Sequence, residues 1–350
     1  MHRTLLALGD EKDLLFRKYF AKNIGILKNA GYVIKAFSYM EVLENPQVLN
    51  DPGSGDVTVL FFFPVDYWDT KIEIGHEIYG SRKMGGKFEA FFNKVESVIR
   101  SACKSKVTFV NDPASIALVR DKKRSHEALV ANNVACASSY GIETARELIK
   151  LVDKGTDLIL KVRYGSLGKG VSLISRNKWY TNFKMRNGSI LNHSNDKGWK
   201  MKEISKRLSF IGQLLEQDVH IEKEIKTPII NNQKLDLRVF VIFGEPVLTY
   251  VRTAKINNII TNWHQGGRIE PLSFLNNLPE KAIEMAEEVA VNAANAYGLN
   301  YAGIDVIFSE NYEKVFVLEG NAFPGSPSPE IPPTVFDPMR TLFEMILQHD

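Results

Sequence analysis

Short apolar runs alternate with stretches of helical periodicity along the first third of the chain. The predicted strands lie at 4–8, 32–37, 57–63 and 107–110, and the predicted helices lie at 14–29 and 88–102. This order predicts an open, mostly parallel βα layer over residues 1–112, since strands that alternate with helices tend to pair in parallel. No Gly-x-Gly-x-x-Gly follows the first strand, so a dinucleotide site is not expected in this layer.

The pattern changes near residue 112 and predicts a second unit over residues 113–225. Its predicted elements are a helix at 115–132 and strands at 158–163 and 171–175, which flank a glycine-rich loop. The stretch 176–208 is rich in Asn, Lys and Ser, so we expect an exposed insertion there, with a helix after Gly198.

Residues 226–350 form the third predicted unit, which contains a hairpin near its end. Its predicted elements are strands at 238–243 and 246–251, a polar loop at 255–269, a helix at 279–297 and paired strands at 303–307 and 315–321. No repeat of fixed period is apparent. The mixture of elements predicts an α/β (α+β) protein.

Composition narrows the class of protein. The chain has 350 residues, 44% of them hydrophobic, which is enough for two or three pieces around a shared core. A net charge of +3 gives no strong electrostatic signal for nucleic acid or a membrane surface. Neither a secretion signal nor a membrane-length apolar run is apparent, so a soluble cytoplasmic protein is expected. Cys103 and Cys136 have no metal-ligand spacing and are expected to be reduced thiols.

Two carboxylates and an amide oxygen fall at the ends of the last two predicted strands. Asp305 lies near the start of one apolar run, and Glu319 and Asn321 close the next, so a hairpin would bring them together. Magnesium takes one or two protein carboxylates and leaves its other positions to waters and nucleotide phosphates, which favours ATP chemistry here. The alternative is a strand end with solvated polar residues.

The glycine-rich loop reads Gly-x-x-Gly-x-Gly and contains Gly165, Ser166, Leu167, Gly168, Lys169 and Gly170. Strand sequence flanks it on both sides, which excludes the P-loop and Rossmann contexts, where such a loop opens a helix. We therefore expect a hairpin lid whose backbone amides close over triphosphate oxygens, with Ser166 and Lys169 adding a donor and a charge. A plain flexible turn is the alternative.

Further polar groups precede and follow the predicted lid. Lys161 stands in an apolar strand, where a lysine is costly unless an anion such as a phosphate pairs with it. The alternation of charged and apolar groups over 220–225 is typical of an edge or interdomain connector, where an adenine amino group could bond the backbone. Arg238 suits a γ-phosphate, and Asp236 is a candidate ribose ligand.

The order of these motifs resembles the ATP-grasp superfamily and, more narrowly, its RimK-type carboxylate–amine ligases. The matching features run from Asp121-Lys122 through Lys161, the glycine-rich loop, 222–225, Asp236-x-Arg238, Arg252, Asn262 with Gly266-Gly267, Asp305 and Glu319-x-Asn321 to Pro324-Gly325. The resemblance covers about residues 111–327 and implies an ATP-grasp fold, with residues 1–112 compatible with a pre-ATP-grasp domain.

The resemblance also implies roles for these residues. The implied ATP ligands are Lys122, Lys123, Lys161, Gly165, Ser166, Leu167, Gly168, Lys169, Gly170, Glu222, Lys223, Ile225 and Asp236. Asp305, Glu319 and Asn321 would bind two Mg²⁺ ions, with Mn²⁺ as a substitute. Lys122 and Lys123 are adjacent, so which of them faces the nucleotide stays open, and the insertion leaves the substrate class open.

The implied reaction is ATP-dependent ligation of a carboxylate to an amine through an acylphosphate, with release of ADP and phosphate. Arg238 would meet the γ-phosphate. Arg252, Lys255, Asn262, Gly266 and Gly267 are assigned to the acylphosphate or the acceptor carboxylate. The alternatives are a surface ion pair for Arg252 and a packing role for His264 beside Trp263.

Two other functions remain open, an ATP-grasp small-molecule kinase and a non-catalytic ATP-binding module. The module should lack a metal ligand or the γ-phosphate arginine, whereas this sequence has all of them. The expected partners are small carboxylates and amines, among them amino acids or a peptide, with no nucleic acid and no membrane. A homodimer is a further expectation, because dimers are common among soluble enzymes.

Overall fold

The computed structural model describes residues 3–49, 55–74, 79–190, 199–256, 258–261, 265–327 and 329–349. Its first unit is a four-stranded parallel sheet with the strand order β2-β1-β3-β4. The strands are β1 (Arg3–Leu8), β2 (Tyr32–Phe37), β3 (Asp56–Phe61) and β4 (Val107–Phe109). All four agree with the predicted strands to within two residues, and the parallel βα layer is confirmed.

Helices cover this sheet. They are a π-helical turn (Leu15–Phe20), α1 (Ala21–Asn23), α2 (Gly25–Asn29), α3 (Tyr39–Glu44), a 3₁₀ turn (Pro46–Leu49), α4 (Val65–Tyr67), a second π-helical turn (Trp68–Ile72) and α5 (Arg82–Ala102). The helix predicted at 14–29 is therefore three short pieces. Helix α5 begins six residues before its predicted start, because Ser81 caps it by accepting from the Met84 amide.

The single helix predicted at 115–132 is two helices, α6 (Pro113–Arg120) and α7 (Lys122–Ala131). Asp121 separates them, because its carboxylate caps α7 by accepting from the amides of Lys123 and Arg124. The same carboxylate accepts two hydrogen bonds of 2.7 Å from the guanidinium of Arg163. A distant arginine thus helps to fix the break, which no local pattern indicates. A further helix, α8 (Ala145–Asp153), follows.

The second sheet has five antiparallel strands in the order β10-β7-β6-β5-β11. Its region contains β5 (Leu158–Val162), β6 (Val171–Ile174), β7 (Trp179–Thr181), a small hairpin of β8 (Met185–Arg186) and β9 (Ser189–Ile190), β10 (Lys202–Ile204), α9 (Leu208–Glu216) and β11 (Val219–Lys223). The stretch 176–208, predicted to be an exposed insertion, is exposed or half-buried over most of its described residues but also adds strands to this sheet. Strands β7 and β10 extend the sheet, and Trp179, Phe183 and Trp199 are buried.

The third sheet has six strands, with the order β15-β14-β13-β16-β17 and β12 paired to β13. Its strands are β12 (Ile229–Ile230), β13 (Gln233–Ile242), β14 (Glu245–Lys255), β15 (Arg268–Ile269), β16 (Tyr301–Phe308) and β17 (Val315–Asn321). A 3₁₀ turn (Leu272–Asn277) leads to α10 (Glu280–Tyr297), which packs on β16 and β17. The alanines Ala286, Ala290 and Ala293 are fully buried in α10, so the helix approaches the sheet closely.

The last helix, α11 (Pro338–His349), returns to the N-terminal unit and packs against α2 and the first π-helical turn. Phe343 of α11 is fully buried and lies edge-on to Phe20, with ring centroids 5.9 Å apart. Each sheet falls within one of the predicted ranges 1–112, 113–225 and 226–350, but α11 packs with the first of them. Among the described residues, no helix has the length and apolar content needed to cross a membrane.

Candidate active site between the two antiparallel sheets

A cleft lies between the five-stranded and the six-stranded sheets. It encloses about 1080 Å³ of space, open solvent at its mouth included. Ile159 and Val171 line it from the five-stranded sheet, and Ile307 and Leu318 line it from the six-stranded sheet. A planar ring system can be sandwiched between such apolar walls.

The rim of the cleft is formed where β11 ends, at Lys223, Glu224 and Ile225. The amide of Lys223 donates to the carbonyl of Ser138 at 2.9 Å, and that of Glu224 donates to the carbonyl of Asp157 at 2.8 Å. These bonds fix the segment beside the apolar walls.

A buried ion pair joins β5 to β11. Lys161 Nζ lies 2.6 Å from Glu222 Oε2, and His220 Nε2 lies 3.1 Å from Glu222 Oε1. Burial by itself would raise the pKa of Glu222, but Lys161 and His220 together lower it to about 2. The anion that the sequence demands for Lys161 is therefore supplied by Glu222 in this structure.

The adjacent lysines Lys122 and Lys123 occupy different environments. Lys122 lines the cleft, whereas Lys123 is exposed on the next position of α7. Lys122 Nζ donates to the carbonyl of Gly165 at 2.7 Å and lies 3.5 Å from Glu319 Oε2. Burial lowers the pKa of Lys122, and Glu319 opposes that shift. Lys122 thus connects the glycine-rich loop to the hairpin of β16 and β17.

The glycine-rich loop closes one end of the cleft. Leu167, Gly168 and Gly170 have φ values of 57°, 66° and 72°, a region that glycine enters without strain. A Cβ at Gly170 would also collide with the side chain of Val162. Asn182 holds the loop by donating to the carbonyl of Gly168 at 2.6 Å.

Aromatic residues outside the loop hold Ser166 and Lys169 in place. The amide of Ser166 donates to the Tyr79 hydroxyl at 2.8 Å, and this hydroxyl donates to the Ser166 carbonyl at 3.0 Å. Lys169 Nζ lies 5.0 Å from the centre of the Tyr79 ring and 6.0 Å from that of Trp199. The charge of Lys169 is therefore directed at two aromatic faces in this conformation.

Two arginines and two aspartates form a buried cluster at the floor of the cleft. Arg238 donates through Nε and Nη2 to the two oxygens of Asp305, the latter at 2.9 Å. Arg252 donates to Asp236 at 2.8 and 2.6 Å, and its Nη2 lies 3.0 Å from Asp305 Oδ2. Burial favours the neutral acid, but Arg238 and Arg252 hold the pKa of Asp305 below its ordinary value. Both guanidinium forks are therefore already engaged with aspartates.

The hairpin of β16 and β17 brings together the three predicted metal ligands. Asp305 pairs in register with Glu319, and Gly303 pairs with Asn321. Glu319 lines the cleft, and Asn321 Nδ2 donates to the Gly303 carbonyl at 3.2 Å, which leaves its Oδ1 for another contact. No described group of three or more His, Cys, Asp or Glu side chains could enclose a metal. Two carboxylates and an amide oxygen fit Mg²⁺ bound with phosphates, provided that Asp305 shares an oxygen now held by arginine.

A family profile described as YheC/D-like ATP-grasp matches residues 119–341, well over half of the chain. The chain belongs to this ATP-grasp family. The ATP-grasp prediction and the predicted fold are thereby confirmed.

Similar sequences include the tetrahydromethanopterin:α-L-glutamate ligase of Methanocaldococcus jannaschii, 28% identical over 220 residues, with 62% of this chain and 63% of that protein covered. A probable α-L-glutamate ligase of Mannheimia succiniciproducens is 31% identical over 230 residues, with 65% and 64% covered. The match spans less than two thirds of either relative. These names agree with the RimK-type resemblance.

Similar structures include the ATP-grasp ligase PsnB in complex with a minimal precursor, with a TM-score of 0.59 and 14% identity over the whole of both chains. The D-alanine–D-alanine ligase of Bacillus anthracis in complex with ATP has a TM-score of 0.54 and 16% identity, with 99% and 96% covered. These likenesses support the same ATP-grasp fold.

The cleft of this ATP-grasp protein collects most, but not all, of the predicted site residues. Those that line it are Lys122, Lys161, Gly165, Ser166, Gly168, Lys169, Glu222, Lys223, Ile225, Asp236, Arg252, Asp305 and Glu319. Predicted site residues that do not line it directly are Lys123, Leu167, Gly170, Arg238, Lys255, Gly266, Gly267 and Asn321. Lys255 is exposed at the end of β14. Arg238 is buried and forms an ion pair with Asp305. Asn262 and His264 lie outside the described residues.

Sequence reasoning missed the apolar walls and several polar lining residues of the ATP-grasp cleft. Thr261 lines it and donates to Asp236 Oδ2, and Lys234 lines it from β13. The period of two residues along a strand could have found two of the wall residues, because Ile159 shares a face with Lys161 and Ile307 shares one with Asp305. Thr261 carried no such signal, since it lies in an irregular loop.

Proposed function

We propose that this protein is an ATP-dependent carboxylate–amine ligase that forms an amide or peptide bond through an acylphosphate and releases ADP and phosphate. The observation that carries the proposal is the pairing of Asp305 with Glu319 at the end of a cleft that also contains Lys122, Lys161 and the glycine-rich loop. Membership of the ATP-grasp family and the glutamate-ligase names of similar sequences support it.

The nucleotide base would lie between the apolar walls, beside Glu222, Lys223 and Ile225. Lys122 and Lys161 would neutralise the phosphates, with Lys161 exchanging Glu222 for a phosphate oxygen. Amides of the glycine-rich loop would donate to the remaining phosphate oxygens. Asp236 would bind the ribose only if it released an oxygen from Arg252 or Thr261.

Asp305, Glu319 and Asn321 would hold Mg²⁺, in the form of two ions or with Mn²⁺ in its place. When bound, the metal neutralises phosphate charge and makes the γ-phosphorus a better electrophile. Arg238 and Arg252 set the charge of Asp305 and keep it ionised, which is the role their contacts support.

In the first chemical step a substrate carboxylate oxygen attacks the γ-phosphorus, and ADP leaves. In the second, an amine attacks the acyl carbon, loses a proton and displaces phosphate. The residues of this chain would contribute by positioning and charge neutralisation, with Arg252 at the transferring phosphate or the acid. Closure of the glycine-rich loop would keep water away from the acylphosphate.

The test is ADP formation against a panel of L-amino acids, dicarboxylates and short peptides as acids and amines, with L-glutamate included because of the relatives' names. Mass spectrometry should find a condensed product 18 Da below the sum of its two substrates, since one water is lost. Hydroxylamine should replace the amine and give a hydroxamate, because it traps acylphosphates.

A small-molecule kinase is the rival with the same cleft. It would form a phosphoester, which resists hydroxylamine and keeps the phosphate in the product. ADP formation with a phosphorylated product and no hydroxamate would replace the ligase proposal by the kinase one. Nucleotide binding without ADP formation across the panel would support a non-catalytic module.

We also propose that the chain divides into units over residues 1–112, 113–225 and 226–350, each of which contains one of the three main sheets. A homodimer and a cytoplasmic location are further proposals. Analytical ultracentrifugation at micromolar protein concentration tests the oligomeric state. A monomeric protein under these conditions would contradict the homodimer proposal.

A further inference from the structure

His220 is a buried imidazole with an unused ring nitrogen. The residue is 7% exposed, and its Nε2 has no aligned hydrogen bond among the described residues. Nε2 nonetheless lies 3.1 Å from Glu222 Oε1, which is close enough for a hydrogen bond once its N–H points at that oxygen. Buried polar groups are nearly always paired, so this exception calls for an explanation.

Glu222 lies between two nitrogen bases on neighbouring strands. Lys161 of β5 and His220 of β11 stand opposite each other in the antiparallel pair. Lys161 Nζ lies 2.6 Å from one oxygen of Glu222, and His220 Nε2 lies beside the other. One buried cation already balances one buried carboxylate, so a second cation at His220 would have no anion of its own. We therefore expect His220 to be neutral while Lys161 holds Glu222.

His126 of α7 is the aromatic neighbour of His220, with ring centres 5.2 Å apart. Its Nε2 lies 2.8 Å from the carbonyl oxygen of Ala137 and carries the hydrogen, because a carbonyl only accepts. Its Nδ1 lies 3.4 Å from the hydroxyl oxygen of Ser139. Both nitrogens of His126 are thus engaged, whereas Nε2 of His220 is not.

The other titratable groups around β11 are engaged, neutral or exposed. Lys122 of α7 lies 3.5 Å from a carboxylate oxygen of Glu319, and Asp218, just before β11, pairs with two arginines. Burial raises the pKa of the Cys136 thiol, which keeps it neutral. Glu216, the charged residue of α9, is exposed. The charge of the buried imidazole is therefore governed mainly by the ion pair between β5 and β11.

We propose that His220 is a positioning residue of the nucleotide site, which takes up a proton and pairs with Glu222 when a phosphate takes Lys161. The inference rests on the proposed exchange of Lys161 from Glu222 to a phosphate oxygen. That exchange leaves Glu222 as an unpaired buried carboxylate, which is strongly unfavourable. A proton taken from solvent at Nε2 or Nδ1 makes His220 a cation and restores the pair. Glu222 then keeps its place beside the nucleotide base.

This role couples nucleotide binding to pH. Imidazole changes its charge near neutral pH, so binding should take up as much as one proton per site in that range. By linkage, the affinity for nucleotide should fall as the pH rises, by at most about tenfold per pH unit for one proton. The negative charge of the phosphates acts in the same direction, because it favours the protonated ring.

Calorimetry of the full-length protein with ADP and Mg²⁺ measures the proton directly. ADP contains the phosphates assigned to Lys161 and cannot transfer a γ-phosphoryl group. Binding enthalpies in buffers of different ionisation enthalpy, in steps from pH 6 to pH 8.5, give the number of protons taken up. The wild type should take up a proton that His220→Gln does not, because an amide donates to Glu222 without titrating. Equal proton uptake in both proteins at every pH would overturn the proposal.

Two further variants identify the group that titrates. His126→Gln is the matched control, since it removes the neighbouring imidazole, and it should keep the proton uptake of the wild type. Glu222→Gln should lose the uptake, because no carboxylate is left to balance. Uptake that is lost in His126→Gln but kept in His220→Gln would place the titrating group on α7 and contradict the role of His220.

The coupling is also measurable without nucleotide. Lys161→Met imitates the departure of Lys161, so His220 should titrate at a pH higher by about one unit or more than in the wild type. NMR of protein labelled with ¹³C at histidine Cε1 follows this titration, and His220→Gln assigns the signal by its absence. An unchanged titration would overturn the proposal.

The failures of the two proposals are distinguishable. A wild type that does not bind ADP would remove the nucleotide site and the role of His220 with it. ADP binding without proton uptake from pH 6 to pH 8.5 would remove the role of His220 and leave the nucleotide site standing.

Discussion

At the scale of single residues, the charged side chains in the cleft mainly form ion pairs with one another. Lys161 pairs with Glu222, and Arg238 and Arg252 pair with Asp305 and Asp236. Glu319 is less constrained, because Lys122 Nζ, its ion-pair partner among the described residues, lies 3.5 Å from Glu319 Oε2. It is therefore the carboxylate that can take a metal with least rearrangement.

Glu319→Gln should lower turnover by a hundredfold or more while the fold is retained. The change removes the charge that binds the metal but preserves the side-chain volume. Turnover is measured as the rate of ADP formation over a range of Mg²⁺ concentrations, and circular dichroism checks that the fold is retained. Glu313→Gln, an exposed position at the turn of the same hairpin, is the control. Unchanged kcat at low Mg²⁺ in Glu319→Gln would contradict the metal assignment.

The depressed pKa of Glu222 predicts a pH-dependent contribution to stability. Its value falls from an ordinary 4.5 to about 2 on folding, which corresponds to about 3 kcal/mol at most. Since the folded-state pKa is the lower one, this contribution is fully present above pH 4.5 and is lost as the pH falls towards 2. The free energy of unfolding of Glu222→Gln should therefore lie below that of the wild type at pH 7.

Urea titrations between pH 7 and pH 3 measure this difference. It should narrow as the pH falls below 4.5, because the wild type then begins to lose the ion pair as well. The control is Glu245→Gln, at an exposed position at the start of β14, which should show little difference at any pH. If the difference in free energy of unfolding between wild type and Glu222→Gln stays constant down to pH 3, Glu222 stabilises the fold by packing and not by charge.

At the scale of elements, the hairpin of β5 and β6 with its glycine-rich loop is the part expected to move. The loop is held by side-chain contacts to Tyr79, Trp199 and Asn182, and such contacts can exchange when a nucleotide binds. It is also contacted across the mouth of the cleft, where Gln265 donates to the Leu167 carbonyl at 3.1 Å.

Gly168→Val should raise the KM for ATP and lower kcat together. A β-branched residue does not readily adopt a φ of 66°, and its side chain would crowd the phosphates. Gly188→Val is a matched control, because Gly188 has a φ of 82° in the turn between β8 and β9, outside the cleft. It should reduce stability in a similar way but leave the KM for ATP unchanged. Equal effects on KM in both variants would argue against a phosphate-binding loop.

Proteolysis tests the motion of the loop directly. Trypsin should cut after Lys169 readily without nucleotide, and AMPPNP with Mg²⁺ should protect this site. Cleavage at sites in other surface segments should be unaffected by the nucleotide and serves as the internal control. Equal cleavage after Lys169 in both conditions would indicate an ordinary hairpin turn.

At the scale of the whole molecule, the two ends of the chain share a core. Helix α11 packs on α2 and the first π-helical turn, so the end of the ATP-grasp unit stabilises the N-terminal sheet. Phe323, just after the hairpin of β16 and β17, contacts the N-terminal unit in a second place, through Phe63 and Phe92. The N-terminal unit is therefore packed against the rest of the chain at both places.

Phe343→Ala should lower the free energy of unfolding by about 3–5 kcal/mol, the usual cost of deleting a fully buried phenylalanine. Hydrogen exchange should show lost protection in β2 and α2 as well as in α11, because these elements lie around the same core. Val335→Ala, at a position 59% exposed, is the control and should change little. Lost protection confined to α11 would show that the helix is peripheral.

The sequence by itself determined the elements whose pattern is local. The N-terminal strands, the long helix α10 and the hairpin of Asp305 and Glu319 were predictable because apolar periodicity and β-branched runs decide such elements through near neighbours. The glycine-rich loop was predictable for the same reason, since a positive φ at Gly168 and Gly170 demands a particular residue at a particular position.

Only the tertiary structure decided which charges meet and which segments are buried. The break at Asp121 coincides with an ion pair to Arg163, 42 residues away in the sequence, and Trp179, Phe183 and Trp199 of the region 176–208 are buried where β7 and β10 join the five-stranded sheet. The forks of Arg238 and Arg252 meet aspartates that lie 67 and 16 residues away in the sequence. The local sequence gives the periodicity of a segment and the chemistry of each side chain. The partner of a side chain depends on contacts that form only when segments remote in the sequence come together.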